Sequence, residues 1–173
     1  MDEQERGKRD NNEELSGDEN VQSVIFLPVV RKLLEHAEQT KQRFAAKLEG
    51  AEGGDLNAQY ELGVCYAEGD GTEPDPEQAF FWFSAAAEQG DVRAIAALGR
   101  CWLEGLGTCR DEAQAAALFE QAAAQDYAPA LCELGLCYET GSGVPEDKGR
   151  AAELYCRAAE QEHALSLIHI STV

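Results

Sequence analysis

The sequence predicts an all-α fold, a right-handed α/α solenoid (superhelix) of three 36-residue helix-loop-helix repeats with an N-terminal amphipathic cap helix. Three observations support it. The chain of 173 residues is rich in alanine and glutamate and has only five prolines, a composition that favours helices. A Leu-Gly pair recurs every 36 residues, and an aromatic residue and a Gly-x-Gly step follow each pair at fixed distances.

The repetition extends through each unit and defines repeats of about 55–90, 91–126 and 127–163. The matching sets are Leu62-Gly63, Leu98-Gly99 and Leu134-Gly135; Tyr66, Trp102 and Tyr138; Gly69 and Gly71, Gly105 and Gly107, Gly141 and Gly143; Asp75, Asp111 and Asp147; and Phe83, Phe119 and Tyr155. Matches at so many positions indicate three copies of one structural unit.

Each unit is predicted to form two helices joined by a loop. In the first repeat Ala58, Leu62 and Tyr66 lie four residues apart and make one apolar stripe. The Gly-x-Gly step ends this helix, because glycine adopts the left-handed conformation that a C-terminal cap needs. In the second helix, Ala79 and Phe83 begin the buried stripe.

Aspartates are predicted to cap the second helices. Asp75 is followed by a proline at the first helical position and by Gln78, which is placed to complete a capping box. Asp111 and Gln114 repeat the arrangement, whereas Asp147 keeps only the cap.

A glycine lies in the middle of each first helix, at Gly63, Gly99 and Gly135. Each costs about 1 kcal/mol relative to alanine in a helix. Because the glycine recurs in all three repeats, we expect a neighbouring helix to approach closely at these positions.

These residues resemble the Sel1-like repeat, a relative of the tetratricopeptide repeat, over residues 55–163. The matching pattern is A-x-x-x-L-G-x-x-Y-x-x-G-x-G, then D, then A-x-x-[WL]-[FY]-x-x-A-A-E-Q-G. The resemblance implies stacked helix pairs that form a superhelix. It also implies an adaptor, whose concave face grips peptides or partner proteins.

Two segments precede the repeats. Residues 1–20 are polar and acidic, so we expect them to be disordered. Residues 21–54 are predicted to hold a cap helix, entered through Pro28, that covers the open edge of the first repeat. The apolar residues near one face of this helix are Val30, Leu33, Leu34, Ala37, Phe44 and Leu48.

The C-terminal segment 165–173 departs from the repeat. After Ala164 a new first helix should begin, but the chain reads L-S-L-I-H-I-S. This string resembles the translation of an adaptor used in sequencing libraries. We therefore expect a non-native tail that replaces further repeats and a C-terminal cap, with an ordinary short tail as the alternative.

The formal net charge is −19. Such a surface repels phosphates and anionic lipid heads, so we expect neither nucleic acid nor a membrane as partner. The polar N-terminus does not match a signal peptide, and the apolar run at 24–30 is too short to span a bilayer. We therefore expect a cytoplasmic protein with reduced thiols.

Three of the six cysteines, Cys65, Cys101 and Cys137, occupy the same place in each repeat. They form either a ladder of thiols for metal or redox chemistry, or small side chains in a tight interhelical position. The second interpretation is favoured, because packed helices separate the copies and no C-x-x-C motif or nearby histidine completes a zinc site. We expect no metal and no cofactor.

The sequence offers no catalytic residues. Neither His36 nor His163 has a nucleophile and an acid at a recognisable spacing, and His169 lies in the anomalous tail. Secreted, cysteine-rich members of the resembled family are described as β-lactam-binding proteins or β-lactamases. This chain lacks their regular second cysteine, since Cys109, Cys132 and Cys156 are scattered, and its polar first residues lead us to expect no export signal.

The predicted site is the concave groove lined by the first helices, placed by analogy with the tetratricopeptide fold. Arg93 and Arg100 are two helical turns apart and could clamp a carboxylate, or merely neutralise neighbouring glutamates. Tyr60 and Leu136 are candidate apolar anchors. The lining residues are Asn57, Tyr60, Val64, Ala67 and Glu68; Arg93, Ala96, Arg100, Leu103 and Glu104; and Cys132, Leu136, Glu139 and Thr140.

Together these features predict a protein–protein interaction scaffold or adaptor that holds a partner protein or peptide, including one with acidic or C-terminal carboxylate groups. We expect no catalysis and no small-molecule substrate. Two alternatives remain: a β-lactamase-like hydrolase, and a repeat appendage of a larger, truncated protein.

Overall fold

The computed structural model describes the backbone of residues 18–171 and the side chains of residues 27–161. Within that backbone the chain is all helical, as predicted, with seven helices and no strand. The helices are α1 (Asp18–Glu52), α2 (Leu56–Glu68), α3 (Pro76–Glu88), α4 (Val92–Glu104), α5 (Glu112–Ala123), α6 (Ala128–Thr140) and α7 (Lys148–Ser171). The chain divides into two compact units, residues 1–40 and 41–173.

In the first unit the described residues form the beginning of α1. The prediction that this helix starts at Pro28 is wrong, because α1 begins at Asp18 and Pro28 lies inside it. A proline inside a helix removes one backbone hydrogen bond, and the residues before it still continue the helix. Residues 18–20, expected to be disordered, are helical, and residues 1–17 lie outside the described part. Leu33 and Leu34, predicted on a packed face, are 64% and 62% exposed.

The second unit stacks helical hairpins. The first helix of each repeat packs against the second helix of the same repeat, as α2 with α3, α4 with α5, and α6 with α7. Successive repeats meet where α3 contacts α4 and where α5 contacts α6. This arrangement confirms the predicted solenoid of three 36-residue repeats. The side chains of the tail 165–173 lie outside the described residues, and the backbone of α7 is helical through Ser171.

The last turns of α1 also belong to the second unit and pack on α2. The ring of Phe44 meets the ring of Tyr66 edge-on, with 5.4 Å between centroids. The Lys47 ammonium lies 3.5 Å from a carboxylate oxygen of Glu61, and Ala51 is buried. Gly50 contributes a close approach, because a Cβ atom there would lie 3.0 Å from that of Ala58.

The first glycine of each Gly-x-Gly step ends a first helix, as predicted. Gly69, Gly105 and Gly141 have φ of 78°, 74° and 73°. Their N–H groups donate to the carbonyls of Cys65, Cys101 and Cys137. In the first two repeats the N···O distance is 2.8 Å. Carbonyls left without partners at the helix end are thereby satisfied.

The second helices keep their aspartate caps but not the predicted capping box. The carboxylate of Asp75 accepts from the N–H groups of Glu77 and Gln78, both at 3.1 Å. The N–H of Asp75, however, donates to the carbonyl of Tyr66 at 2.8 Å rather than to Gln78. The same 2.8 Å bond joins Asp111 to Trp102, and Asp147 to Tyr138. The loop thus pairs an orphan carbonyl at the end of one helix with an orphan N–H at the start of the next, and no glutamine is needed.

The glycine inside each first helix faces an aromatic ring, which confirms the predicted close approach. A Cβ atom on Gly63 would lie 2.6 Å from the Phe83 ring. The corresponding distances are 2.7 Å from Gly99 to Phe119 and 2.7 Å from Gly135 to Tyr155. Real Cβ atoms essentially never lie so close to another atom, so any other residue would force the facing ring to move.

The second glycine of the Gly-x-Gly step forms the joint between repeats. Gly107, with φ of 69°, lies against the start of α3, and a Cβ atom there would overlap the carbonyl oxygen of Pro76. Gly143, with φ of 72°, is placed in the same way against Glu112 at the start of α5. Backbone contact at these points leaves no room for a side chain.

We therefore predict that Gly107→Ala destabilises the chain by more than its backbone conformation explains. Alanine in a left-handed conformation costs about 1–2 kcal/mol, and the overlap with Pro76 should add at least about 2 kcal/mol. Gly90→Ala is the matched control, because Gly90 has φ of 90° and a Cβ atom there would meet nothing within 4 Å. Urea unfolding followed by circular dichroism measures both variants, and equal losses would contradict the joint.

Candidate functional site

The most constrained polar cluster lies at the start of α4, around Asp91 and Arg93. The Asp91 carboxylate caps α4 by accepting from the backbone N–H of Arg93 at 2.8 Å and of Ala94 at 3.4 Å. It also accepts from the guanidinium of Arg93, from Nε at 3.1 Å and from Nη2 at 2.6 Å. The Asp91 side chain is 4% exposed and that of Arg93 is 38% exposed. The result is a two-pronged ion pair whose carboxylate is buried.

The same guanidinium joins the second repeat to the first. Its central carbon lies 4.4 Å from the centroid of the Tyr60 ring, within the range of a cation–π contact. Its Nη2 group donates to the side-chain oxygen of Asn57 at 3.0 Å. Since Asn57 precedes Arg93 by 36 residues, equivalent positions of two neighbouring repeats meet here.

The charges of this cluster shift its pKa values. Burial raises the pKa of the Asp91 carboxyl, but the hydrogen bonds and positive charge of Arg93 outweigh it, so the pKa lies below its ordinary value. The pairing with Asp91 holds the pKa of Arg93 above its ordinary value. Burial, with smaller contributions from Tyr60 and Asp91, raises the pKa of Tyr127. Tyr127 therefore belongs to the surroundings of the same ion pair.

In the first repeat, the predicted groove residues are partly engaged in packing. Tyr60 tilts against the Phe83 ring at 5.9 Å, and Val64 packs beside it against the core. Asn57 and Glu68 are exposed, as is Ala67.

In the second repeat, Ala96 does not line an open surface, which corrects the prediction. It is buried in a cluster with Ile95, Ala122 and Ala130, because α4 packs there against its neighbours. Leu103 is half-buried against the core that the second and third repeats share. Arg100 and Glu104 are exposed.

In the third repeat, the predicted residues are accessible. Cys132 and Thr140 are exposed, and Leu136 is 45% exposed. Glu139 is exposed and accepts a hydrogen bond from the Tyr155 hydroxyl at 2.9 Å.

The two arginines of the predicted clamp therefore differ. Arg93 is held by Asp91 and Asn57, which use three of the five N–H donors of its guanidinium. Its partner is an aspartate, not one of the glutamates considered from the sequence. Arg100, two turns later on α4, is exposed.

The sequence analysis did not identify Asp91 and Tyr127, although the 36-residue spacing points to both. Asp55, Asp91 and Tyr127 are 36 residues apart, each immediately before a first helix. Asp55 caps α2 by accepting from Ala58 at 2.7 Å, whereas Tyr127 makes no side-chain cap. The aspartate caps were recognised only for the second helices.

The in-register cysteines Cys65, Cys101 and Cys137 are buried. Burial raises the pKa of the Cys101 thiol to about 11 and also raises that of Cys137, so these groups stay protonated at neutral pH. Their positions fit the interpretation as small interhelical side chains. Across the described residues, no three His, Cys, Asp or Glu side chains come together in a way that could hold a metal ion.

Of the helices in the described part of the chain, none combines the length and the apolar character that crossing a membrane requires.

The stacked hairpins define a helical-repeat solenoid, and comparison with known families identifies its kind. The Sel1 repeat model matches residues 56–91, 92–127 and 128–163, each one residue later than the start predicted from the sequence. The chain therefore belongs to the Sel1 repeat family, as the resemblance indicated.

Solved structures agree with this assignment. A Sel1 repeat protein from Oxalobacter formigenes is 31% identical with a TM-score of 0.65, over 70% of this chain and 49% of that protein. A protective antigen of uropathogenic Escherichia coli with the same repeat fold is 30% identical with a TM-score of 0.63, over 78% of this chain and 33% of the antigen. Cysteine-rich protein B of Helicobacter pylori shares the fold at 17% identity, with a TM-score of 0.55 over 72% of this chain and 89% of that protein.

The chain spans about half and a third, respectively, of the first two proteins. A comparison with curated protein sequences finds no match. The Sel1 repeat fold supports a helical-repeat scaffold for protein interaction, and the family is generally non-catalytic.

The ion pair at the start of α4 predicts that Asp91→Asn lowers the free energy of unfolding by roughly 1–2 kcal/mol at neutral pH, because it removes the charge that holds Arg93. Asp55→Asn is the control, since it changes an N-cap that has no arginine and asparagine caps nearly as well.

The loss should also depend on pH. The pKa of Asp91 in the folded chain lies below its ordinary value. The ionised carboxylate therefore stabilises the folded chain fully when the pH is above that ordinary value, and this stabilisation is lost as the pH falls through the folded pKa. Urea unfolding of the parent and of Asp91→Asn should therefore converge on acidification. A gap that stays constant down to pH 2 would contradict the ion pair.

Thiol accessibility gives a separate prediction. In the folded chain at pH 8, iodoacetamide should modify exposed Cys109 at least about a hundredfold faster than Cys101, because burial both shields the Cys101 thiol and raises its pKa. Mass spectrometry of the digested protein measures both rates, and urea should abolish the difference. Similar rates in the folded chain would exclude the buried position.

Proposed function

We propose that this chain is a protein–protein interaction scaffold that binds a partner protein or peptide along the solvent-facing side of α2, α4 and α6. The observation that carries the proposal is a row of equivalent positions, Val64, Arg100 and Leu136, one on each first helix. Val64 is half-buried, and Arg100 and Leu136 are exposed. We call these three residues the first-helix row.

The row differs in kind from the positions that build the fold. Several structural positions hold the same residue type in every repeat, such as the glycines that face Phe83, Phe119 and Tyr155. The row instead holds a valine, an arginine and a leucine. Packing does not demand this variation, whereas recognition of a partner by successive apolar and charged contacts would use it.

Arg100 is the residue that would meet a carboxylate of the partner. The planar guanidinium can donate two parallel hydrogen bonds to a carboxylate. Arg93 would contribute at the edge of the surface, oriented by Asp91 and Tyr60.

The surroundings favour a partner with a single carboxylate. Glu68, Glu104 and Glu139 are exposed on the same three helices and would repel further negative charge. A C-terminal carboxylate flanked by apolar or basic residues satisfies these requirements, with the apolar residues contacting Val64 and Leu136.

We propose no catalysis, cofactor or small-molecule substrate for this chain, and neither nucleic acid nor a membrane as partner. The generally non-catalytic nature of the family and the burial of the in-register thiols support the first part. The net charge of −19 supports the second, because phosphates and anionic lipids would be repelled.

The test is affinity capture with the full chain from an extract of the source cells, quantified by mass spectrometry. Arg100→Glu should reduce capture of the specific partner at least about tenfold, because it replaces the attracting charge with a repelling one. Leu136→Glu should act similarly by removing an apolar contact. Isothermal titration calorimetry with the purified partner then gives the dissociation constants.

Glu73→Lys in the loop that joins α2 to α3 serves as the control, because it changes an exposed charge outside the three first helices. Arg93→Glu is avoided, since it would leave the buried Asp91 carboxylate without its partner. If the parent chain and both row variants capture every partner equally, the proposed surface is wrong.

A further inference from the structure

The opposite helices, α3, α5 and α7, carry two grooves that are related by the 36-residue repeat. The first lies between α3 and α5, is also lined by α4, and has a volume of about 320 Å³. The second lies between α5 and α7 and has a volume of about 710 Å³. Leu98 and Gln121 line the first groove where the equivalent residues Leu134 and Arg157 line the second. We call these the aromatic groove and the charged groove.

The aromatic groove has the chemistry of a pocket for an apolar side chain. Phe80 and Trp102 meet edge to face with 5.6 Å between ring centroids, and both are half-buried. Ile95, Leu98 and Leu118 complete the apolar lining. Its volume is similar to that of small ligand pockets, which begin at about 300 Å³.

The two helices that flank the aromatic groove carry only negative charge. Helix α3 contains Glu77 and Glu88, helix α5 contains Glu112 and Glu120, and neither contains lysine or arginine. Glu88 lines the aromatic groove itself, and Glu120 lines the charged groove on the other side of α5.

The arginines of the charged groove do not neutralise the negative charge along α5. Arg157 pairs with Asp126, and the Arg150 guanidinium lies over the Tyr138 ring, 4.9 Å from its centroid. Three carboxylates, those of Glu120, Asp147 and Glu153, line the same groove. Carboxylates therefore border both sides of α5.

We propose that the face formed by α3, α5 and α7 binds a basic peptide segment, which places one aromatic or aliphatic side chain in the aromatic groove and its lysines or arginines beside Glu88 and Glu120. The apolar lining supplies the anchor contact, and the acidic flanks select a positively charged segment. The net charge of −19 also steers basic segments toward the chain. This surface shares no residue with the first-helix row, and its binding does not depend on that of the row.

The choice of a basic peptide follows from charge complementarity. An acidic segment would meet Glu88 in the aromatic groove and Glu120 on the other side of α5. A neutral apolar segment could use the groove but would gain nothing from those charges. Only a segment that combines an apolar anchor with positive flanks matches both features.

The test uses the full chain and three synthetic seven-residue peptides. The first has phenylalanine at its centre and three lysines on each side, the second replaces phenylalanine with alanine, and the third replaces the lysines with glutamates. Binding is followed by NMR of 13C-labelled leucine and isoleucine methyl groups, which reports on Ile95, Leu98 and Leu118 directly.

We expect the phenylalanine peptide to shift these three methyl signals and to bind at least about tenfold more tightly than the alanine peptide. The glutamate peptide should not bind. Glu88→Lys should weaken binding about fivefold, because it replaces an attractive charge at the groove with a repulsive one. Glu104→Lys is the matched control: both glutamates are exposed and end their helices, and the change in net charge is identical.

Equal affinity of the phenylalanine and alanine peptides would overturn the proposal, because binding would then reflect the net charge of the chain alone. Equal effects of Glu88→Lys and Glu104→Lys, or shifts confined to methyl groups outside the aromatic groove, would overturn it as well. Arg100→Glu should leave binding of the phenylalanine peptide within about twofold, so failure of this proposal is distinguishable from failure of the first-helix row.

Discussion

The close approach of a glycine to an aromatic ring is the contact on which each repeat depends. Gly99 faces Phe119 at a distance that no Cβ atom could occupy, and the other two repeats contain the same arrangement. The ring fills the space that a side chain would need, so the two helices of a hairpin come together with Phe119 fully buried. With one side of the first helix committed to this contact, other sides remain for solvent and partners.

The loops join the two helices of a hairpin, and neighbouring repeats, through similarly close contacts. The N–H of Asp111 satisfies the carbonyl of Trp102, so one bond serves both helix ends. Gly107 brings the loop of the second repeat onto the first turn of α3 without an intervening side chain. Because these contacts involve backbone and glycine, the exposed side chains of the helices are free to vary between repeats, and the two proposed surfaces consist of such side chains.

The Asp91–Arg93 ion pair is a departure from this repetition with a structural consequence. In the first repeat the equivalent aspartate only caps its helix, but in the second it also holds an arginine that reaches Asn57 and Tyr60. A charge that looks available for a ligand in the sequence thus joins two repeats. Recognition of a carboxylate then falls mainly to Arg100, whose side chain is exposed on the same helix.

The sequence by itself determined the hairpins, their length, the aspartate caps of the second helices and the glycine caps of the first helices. These features depend on residue spacing within each 36-residue unit. The apolar stripes, the aspartate before each second helix and the glycine after each first helix are local features, and local features are read from spacing. Only the tertiary structure decided that Ala96 is buried, that Arg93 belongs to Asp91 and that the Asp75 N–H prefers the Tyr66 carbonyl to Gln78. These outcomes depend on which groups folding brings together across a loop or between repeats. Residues with equal spacing and similar chemistry can acquire different neighbours, and the spacing does not show which.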